Sequence, residues 1–185
     1  MRSLATIAVD DPVEQDAFLL GRAKRGDSKA FEGLYRAHSG RVYGLCLRLT
    51  GDRAGAEDCT QETFINAWKA LPRFEARSSF RTWLHRIAVN VVMKKRKRLS
   101  ASMEITMSPE DLGEGDIHFD TPIEVDEIEA ALAALPDGAR DAVVLFGIYG
   151  YSHEETAEML GVAEGTCRAQ LHRGRKLIRE RLQVT

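Results

Sequence analysis

Arg168, Arg173, Arg175, Lys176, Arg179 and Arg181 stand against one acid, Glu180, near the end of this 185-residue chain, a local surplus of +5. Guanidinium forks pair with phosphate oxygens and with the O6 and N7 edge of guanine, so this is recognition chemistry rather than bond-making chemistry. The competing reading of such a run is a solvated amphipathic helix. Its setting favours recognition. The segment YSHEETAEMLGVAEGTCRAQLHRGRKLIRER from Tyr151 reads as two short helices around a glycine turn, the outline of a helix-turn-helix DNA reader. Ser152 and Glu155 have capping-box spacing, which starts the first helix, and Gly161 supplies the left-handed residue that stops it. Cys167, Leu171, Gly174, Ile178 and Leu182 then recur in threes and fours, which predicts one core-facing stripe with Gly174 admitting a close neighbour.

Other chemistries fit poorly. His153-Glu154-Glu155 is not a zinc-protease motif, because Ala157 stands where the second histidine is needed, and no Gly-rich phosphate loop or strand alternation is present. Cys46, Cys59 and Cys167 are far apart and form no Cys-x-x-Cys pair, so neither a disulfide framework nor a zinc site is expected; burial as small hydrophobes is the favoured role over redox sensing at Cys59. We expect no catalytic residues, metal or cofactor. No apolar run is long enough to span a membrane, and MRSLATIAVDDPVEQD lacks the features of a secretory signal, which places the expected site of action in the cytoplasm.

The net charge of −2 conceals strong segregation. Arg77 to Arg98 holds eight Lys or Arg and no acid (+8), and Leu99 to Glu127 holds nine acids and no Lys or Arg (−9). The acidic stretch has Ser, Gly and Pro, weak periodicity and few aromatics, the composition of a flexible linker. An all-α chain of two small helical domains is therefore expected, with an N-terminal domain over 1–98, a linker over 99–123 and a C-terminal domain over 124–185. Opposite charge also suggests that the linker folds back on the basic segment in the free protein and masks it.

In the N-terminal domain, Asp11 to Arg25 reads as a short helix, and a longer one runs from Asp27 or Ser28 toward Leu49 with Phe31, Leu34, Tyr35, His38, Val42, Leu45, Cys46 and Leu49 as its core stripe. His38 is expected to be a packed histidine. The next helix, Ala54 to Leu71, turns Phe64, Ile65 and Trp68 inward and leaves Glu57, Asp58, Gln61 and Glu62 outside; Pro72 ends it. Ser78 or Ser79 then caps a helix with Phe80, Trp83, Leu84, Ile87, Ala88 and Val91 on its buried stripe.

The succession AEDCTQETFINAW, FEARSSFRTWLHRIAVN, a basic tail, an acidic spacer and the terminal helix-turn-helix resembles the extracytoplasmic-function sigma factors, the small two-domain promoter-specificity subunits of bacterial RNA polymerase. The resemblance covers about Gly21 to Arg98 and Glu124 to Leu182. It implies that Asp58, Gln61, Glu62 and Phe64, matching the family's D-x-x-Q-E-x-F helix, dock on the clamp helices of core RNA polymerase. It implies that promoter DNA is opened and its minus-ten element read by Phe74, Arg77, Ser78, Ser79, Phe80 and Asn90, around a captured non-template base, with Arg81, Arg86, Lys94, Lys95 and Arg96 holding phosphates; Trp83 is expected in the core. It implies that Arg168, Ala169, His172 and Arg173 face bases of the minus-thirty-five element, with Arg175 and Lys176 nearer phosphates. Lys94 replaces an acid common in the family, and Gln170 and Cys167 replace a basic residue and a valine. The resemblance also implies an anti-sigma factor, often membrane-anchored, that covers these surfaces, and a linker passing through the polymerase cleft. A stand-alone dimeric helix-turn-helix regulator is the alternative, and a protein that only sequesters another regulator would need neither basic face.

Overall fold

The computed structural model describes residues 12–101 and 125–182. Of the acidic stretch expected to fold back, residues 102–124, Glu104 to Asp120 included, lie outside them. Helices account for nearly all of the described chain: α1 Pro12–Ala23, α2 Ser28–Thr50, α3 Arg53–Ala70 and α4 Phe80–Ala101 form an N-terminal group, and α5 Val125–Ala133, α6 Asp137–Ala142, α7 His153–Leu160 and α8 Glu164–Leu182 form a C-terminal one.

Local chemistry sets the boundaries. Asp27 caps α2 by accepting from Lys29 N and Ala30 N, and Gly51, at φ 76°, closes it with a bond to Leu47 O. Asp52 caps α3 through Gly55 N; a Cβ at position 55 would lie 2.5 Å from that carboxylate, so glycine is needed at this close approach. A single 3-10 turn, Leu71–Arg73, carries Pro72 and ends the third helix. Ser79 rather than Ser78 starts α4, its Oγ accepting from Thr82 N at 3.1 Å.

The N-terminal core is a three-helix layer. Leu34, Val42, Leu45, Cys46 and Leu49 of α2 meet Ala56, Cys59, Phe64 and Ala67 of α3 and Leu84, Ala88, Val89, Val91 and Val92 of α4, all buried. Each such leucine contributes about 1.5–3 kcal/mol by leaving water. His38 is buried in this layer as expected; its Nε2 lies 2.8 Å from Asp16 Oδ2, and its ring meets Phe80 edge-on. Ile65 departs from expectation. It is 54% exposed and Trp68 only half-buried, because α3 offers a wider apolar arc than one neighbouring layer can cover.

The cysteines are all free and buried. Burial pushes the Cys46 thiol up to about 12 and raises those of Cys59 and Cys167, so none is a ready thiolate.

In the C-terminal group, Ser152 and Glu155 form the capping box of α7, and Gly161, at φ 67°, ends that helix. Cys167, Leu171, Gly174 and Ile178 face the core, with Leu182 half-buried at the end of the stripe. A Cβ on Gly174 would come within 2.6 Å of Val143 Cγ2 and 3.0 Å of Ala139 O, the close approach its spacing implied. Between α6 and α7 the chain takes a π-helical turn, Val143–Ile148, closed by Tyr149 N to Val144 O at 3.1 Å. Arg140, buried, donates to Leu132 O, Ala133 O and Leu135 O and so satisfies the carbonyls at the end of α5.

Candidate nucleic-acid interface

The helix-turn-helix turns one row of α8 to solvent. Arg168, Arg173 and Lys176 are exposed, with Ala169 and His172 half-covered beside them. Arg168 pairs with Glu164 at 2.6 Å, an exposed one-turn pair that a phosphate or guanine can displace cheaply. Arg175 leans over the Phe146 ring, 5.4 Å from its centroid, which puts it at the edge of this row. Gln170 points elsewhere: a Cβ on Gly138 would touch its amide at 3.2 Å, so this departure from the family pattern serves helix packing against α6. The capped α7, the Gly161 turn and the Gly174 contact together fix the angle at which the row is presented.

The basic residues of α4 are divided. Arg81, Asn90, Lys94, Lys97 and Arg98 are exposed, and Arg86, Asn90, Lys94 and Lys97 share one stripe at spacings of four, four and three. Lys95 Nζ is held by Asp58 Oδ2 at 3.0 Å, and this hydrogen bond raises the Lys95 pKa. Arg86 makes a forked pair with Glu158 of α7, at 3.0 and 2.9 Å. Arg96 is bound most firmly of all: it donates to Asp141 Oδ2 at 2.6 Å and to Leu49 O, and lies 3.6 Å from Asp137. Asp141 is almost wholly buried, and that burial raises its pKa to about 6 although Arg96 opposes the shift.

The loop before α4 holds Arg77 at the surface, paired with Glu75 at 2.6 Å, with Ser79 exposed and Ser78 half-buried. Ala76 takes a positive φ of 54°, and Lys24 Nζ anchors the loop through Phe74 O at 2.6 Å. Phe74 and Phe80 are buried, edge-on to each other at 6.0 Å, with Trp83 tilted against both. As placed here, these two rings support the loop and offer no face to a base; Arg77 and Ser79 are the members of this set open to one.

On α3, Asp58 and Gln61 are exposed and Glu62 is half-exposed, 4.0 Å from Arg98. Phe64 is 4% exposed and forms a floor rather than a contact point. Beside this polar row lies a groove of about 480 Å3, lined by Phe31, Tyr35, Gln61, Phe64, Ile65, Trp68 and Lys69. The sequence reading missed it by turning Ile65 and Trp68 inward; the available signal was that Phe64 and Ile65 are adjacent, about 100° apart around the helix, and so cannot both face one neighbouring layer squarely. Among the described residues no cluster of His, Cys, Asp or Glu is placed to hold a metal, and no helix is long and apolar enough to cross a membrane.

These helices match known proteins in order. Sigma-70 region 2 matches residues 34–101 and sigma-70 region 4 matches residues 126–178. The ECF RNA polymerase sigma factor SigE of Mycolicibacterium smegmatis is 39% identical over 85% of this chain, which spans 64% of that protein's length. The RNA polymerase sigma-H factor of Pseudomonas aeruginosa is 35% identical over 92% of this chain and 95% of its own. Among solved structures, the sigma factor RpoE of Bartonella quintana, in complex with the anti-sigma factor NepR, superposes with a TM-score of 0.62 at 26% identity over 84% of this chain and 98% of that one. CnrH in complex with the cytosolic domain of CnrY gives 0.59 at 26% identity over 91% and 97%. The ECF RNA polymerase sigma factor SigC of Mycobacterium tuberculosis is 35% identical over 92% of this chain and 91% of its own, and the chain therefore belongs to the sigma-70 family and, within it, to the extracytoplasmic-function RNA polymerase sigma factors.

Proposed function

We propose that this protein binds core RNA polymerase in the cytoplasm and directs it to promoters with a minus-ten and a minus-thirty-five element, without a catalytic step or cofactor of its own. Region 2 spans the N-terminal domain, 1–98, and region 4 the C-terminal one, 124–185. The polymerase docks on α3 through Asp58, Gln61 and Glu62, with the apolar groove of Phe31, Tyr35, Ile65 and Trp68 receiving side chains from the partner helix and Phe64 as its floor. Carboxylates set register against a basic partner, and burial of the apolar groove supplies most of the affinity.

Promoter reading then divides between the helix groups. Arg168, Ala169, His172 and Arg173 meet base edges of the minus-thirty-five element, and Arg175 and Lys176 its phosphates. Arg77, Ser78, Ser79 and Asn90 take the minus-ten element, with Arg81, Arg86, Lys94, Lys95 and Arg96 along its backbone and Phe74 and Phe80 shaping the pocket for an unstacked base. An anti-sigma factor, as NepR is for the Bartonella quintana relative, fits the same surfaces. The observation that carries the proposal is the row of Asp58, Gln61 and Glu62 on α3 beside an apolar groove.

The test is binding of the full chain to purified core polymerase. Gln61→Ala with Ile65→Asp should weaken binding at least about a hundredfold, since an unpaired charge in an apolar contact costs several kcal/mol. Unchanged affinity would move the docking surface elsewhere.

A further inference from the structure

We propose that α1, with the turn that follows it, braces the loop assigned above to the minus-ten element, and that Lys24 is the positioning residue through which it does so. The sigma-70 region 2 match begins at residue 34, so this helix precedes it. Lys24 Nζ donates to Phe74 O at 2.6 Å, a tie between residues 50 positions apart in the chain. A charged donor makes this a stronger bond than an amide would. The loop needs such a hold. Ala76, inside it, takes φ 54°, where a Cβ crowds the backbone, and backbone of this kind persists only where its surroundings over-determine it. Other holds are near in sequence: Phe74 N donates to Leu71 O, the Phe74 ring packs on Phe80 and Trp83, and Ser79 caps α4. Lys24 acts from outside, on the peptide between Phe74 and Glu75.

Lys24 is itself firmly presented. Its backbone N donates to Leu20 O, which extends the last turn of α1, and Gly26, at φ 89°, then turns the chain toward α2. Arg22 pairs at 2.6 Å with Asp27, the residue that caps α2. A Cβ on Gly33 would come within 3.1 Å of Leu19 Cδ1, so glycine there lets α1 sit closely on α2.

A second strut runs from α1 to the far end of the same loop. Asp16 Oδ2 lies 2.8 Å from His38 Nε2, and the His38 ring meets Phe80, the first residue of α4, edge-on at 5.2 Å. The helix thus reaches both Phe74 and Phe80, and between them Arg77 and Ser79 stand open to a base. Preorganisation is what the brace contributes: an unbraced loop takes the reading shape only part of the time, and its apparent affinity for a captured base falls by that fraction.

The promoter role rests on the function proposed above; the brace itself does not, and the two can be measured apart. Lys24→Met keeps the stem and removes the donor, whereas Lys24→Arg keeps a donor. In the full chain without polymerase or DNA, trypsin cleavage after Arg77, read by mass spectrometry, should quicken at least about fivefold in Lys24→Met and stay at the parent rate in Lys24→Arg. Cleavage after Arg48, within α2, should be alike in all three, which separates loop opening from general unfolding. In holoenzyme, changing the minus-ten bases should cost the parent about tenfold in run-off initiation and Lys24→Met only about threefold, while changes in the minus-thirty-five element should cost both alike. Cleavage after Arg77 that is unaltered in Lys24→Met would overturn the brace. Faster cleavage with undiminished minus-ten discrimination would overturn its part in promoter reading. A parent chain that initiates nowhere would overturn the function itself and the promoter role with it, leaving the brace to be decided by the trypsin result.

Discussion

The recognition helix α8 and the basic helix α4 carry similar arginine-rich stretches and use them differently. On α8, Arg168, Arg173 and Lys176 face solvent over a packed stripe of Cys167, Leu171, Gly174 and Ile178. On α4, Arg86 and Arg96 are already engaged with carboxylates of another helix group, and Lys95 with Asp58. Positive charge in a sequence therefore measures capacity for nucleic acid; availability depends on which carboxylates the fold brings alongside.

Arginine truncation separates the two helices most sharply. Arg96→Ala leaves Asp141 buried without its cation and should cost about 3 kcal/mol of stability, read by denaturant unfolding. A loss below 0.5 kcal/mol, the ordinary surface value, would make α4 and α8 alike. Arg173→Ala should do the reverse, leaving stability within about 0.5 kcal/mol while weakening minus-thirty-five binding by about 1–3 kcal/mol, seen as a loss of about fivefold or more in a holoenzyme binding assay.

Gly174→Ala sharpens the scaffold side of the contrast. A methyl there meets Val143 Cγ2 and Ala139 O, so overpacking should outweigh the gain in helix propensity and lower stability by about 1 kcal/mol in thermal unfolding. No loss would mean that α8 is not pinned at this point.

The smallest effect is in pH. Burial, with Arg81, His38 and Arg41 nearby, lowers the His85 pKa to about 4, so between about 6.5 and 4 the unfolded chain binds this proton more readily and the stability His85 contributes falls with pH. Asp141, raised to about 6 by burial, works oppositely: below about 6 the folded chain takes up the extra proton and gains stability down to the ordinary carboxylate value near 3.8. Stability should decline from pH 6.5 to 6 and flatten beneath it, and Asp141→Asn should remove the flattening. An unchanged profile in that variant would contradict the assignment.

Much of the scaffold was legible because its signals are local. Ser152 with Glu155, Gly161 and the α8 stripe act within a turn or two of their own helix, and each does in the structure what its spacing implies. His38 was legible as a packed residue, though its Asp16 partner, on the separate helix α1, was not. The site was legible by type and less by placement. Periodicity placed Phe80 on a core stripe while resemblance placed it in a base pocket, and no local rule chooses between them; Phe74 and Trp83 supply the packing that buries it. Ile65 was misplaced because one helix cannot reveal how much of its apolar arc the neighbours will cover. The engagement of Arg86 and Arg96 was hidden for the same reason, their partners lying 72 and 45 residues away.

Run-off transcription from a library of promoter fragments, with core RNA polymerase in the presence and absence of the full chain, tests the central claim most directly. Initiation that requires the protein and shares a two-part upstream sequence is the predicted result. No initiation, together with tight binding of the protein alone to a palindromic site, would contradict it.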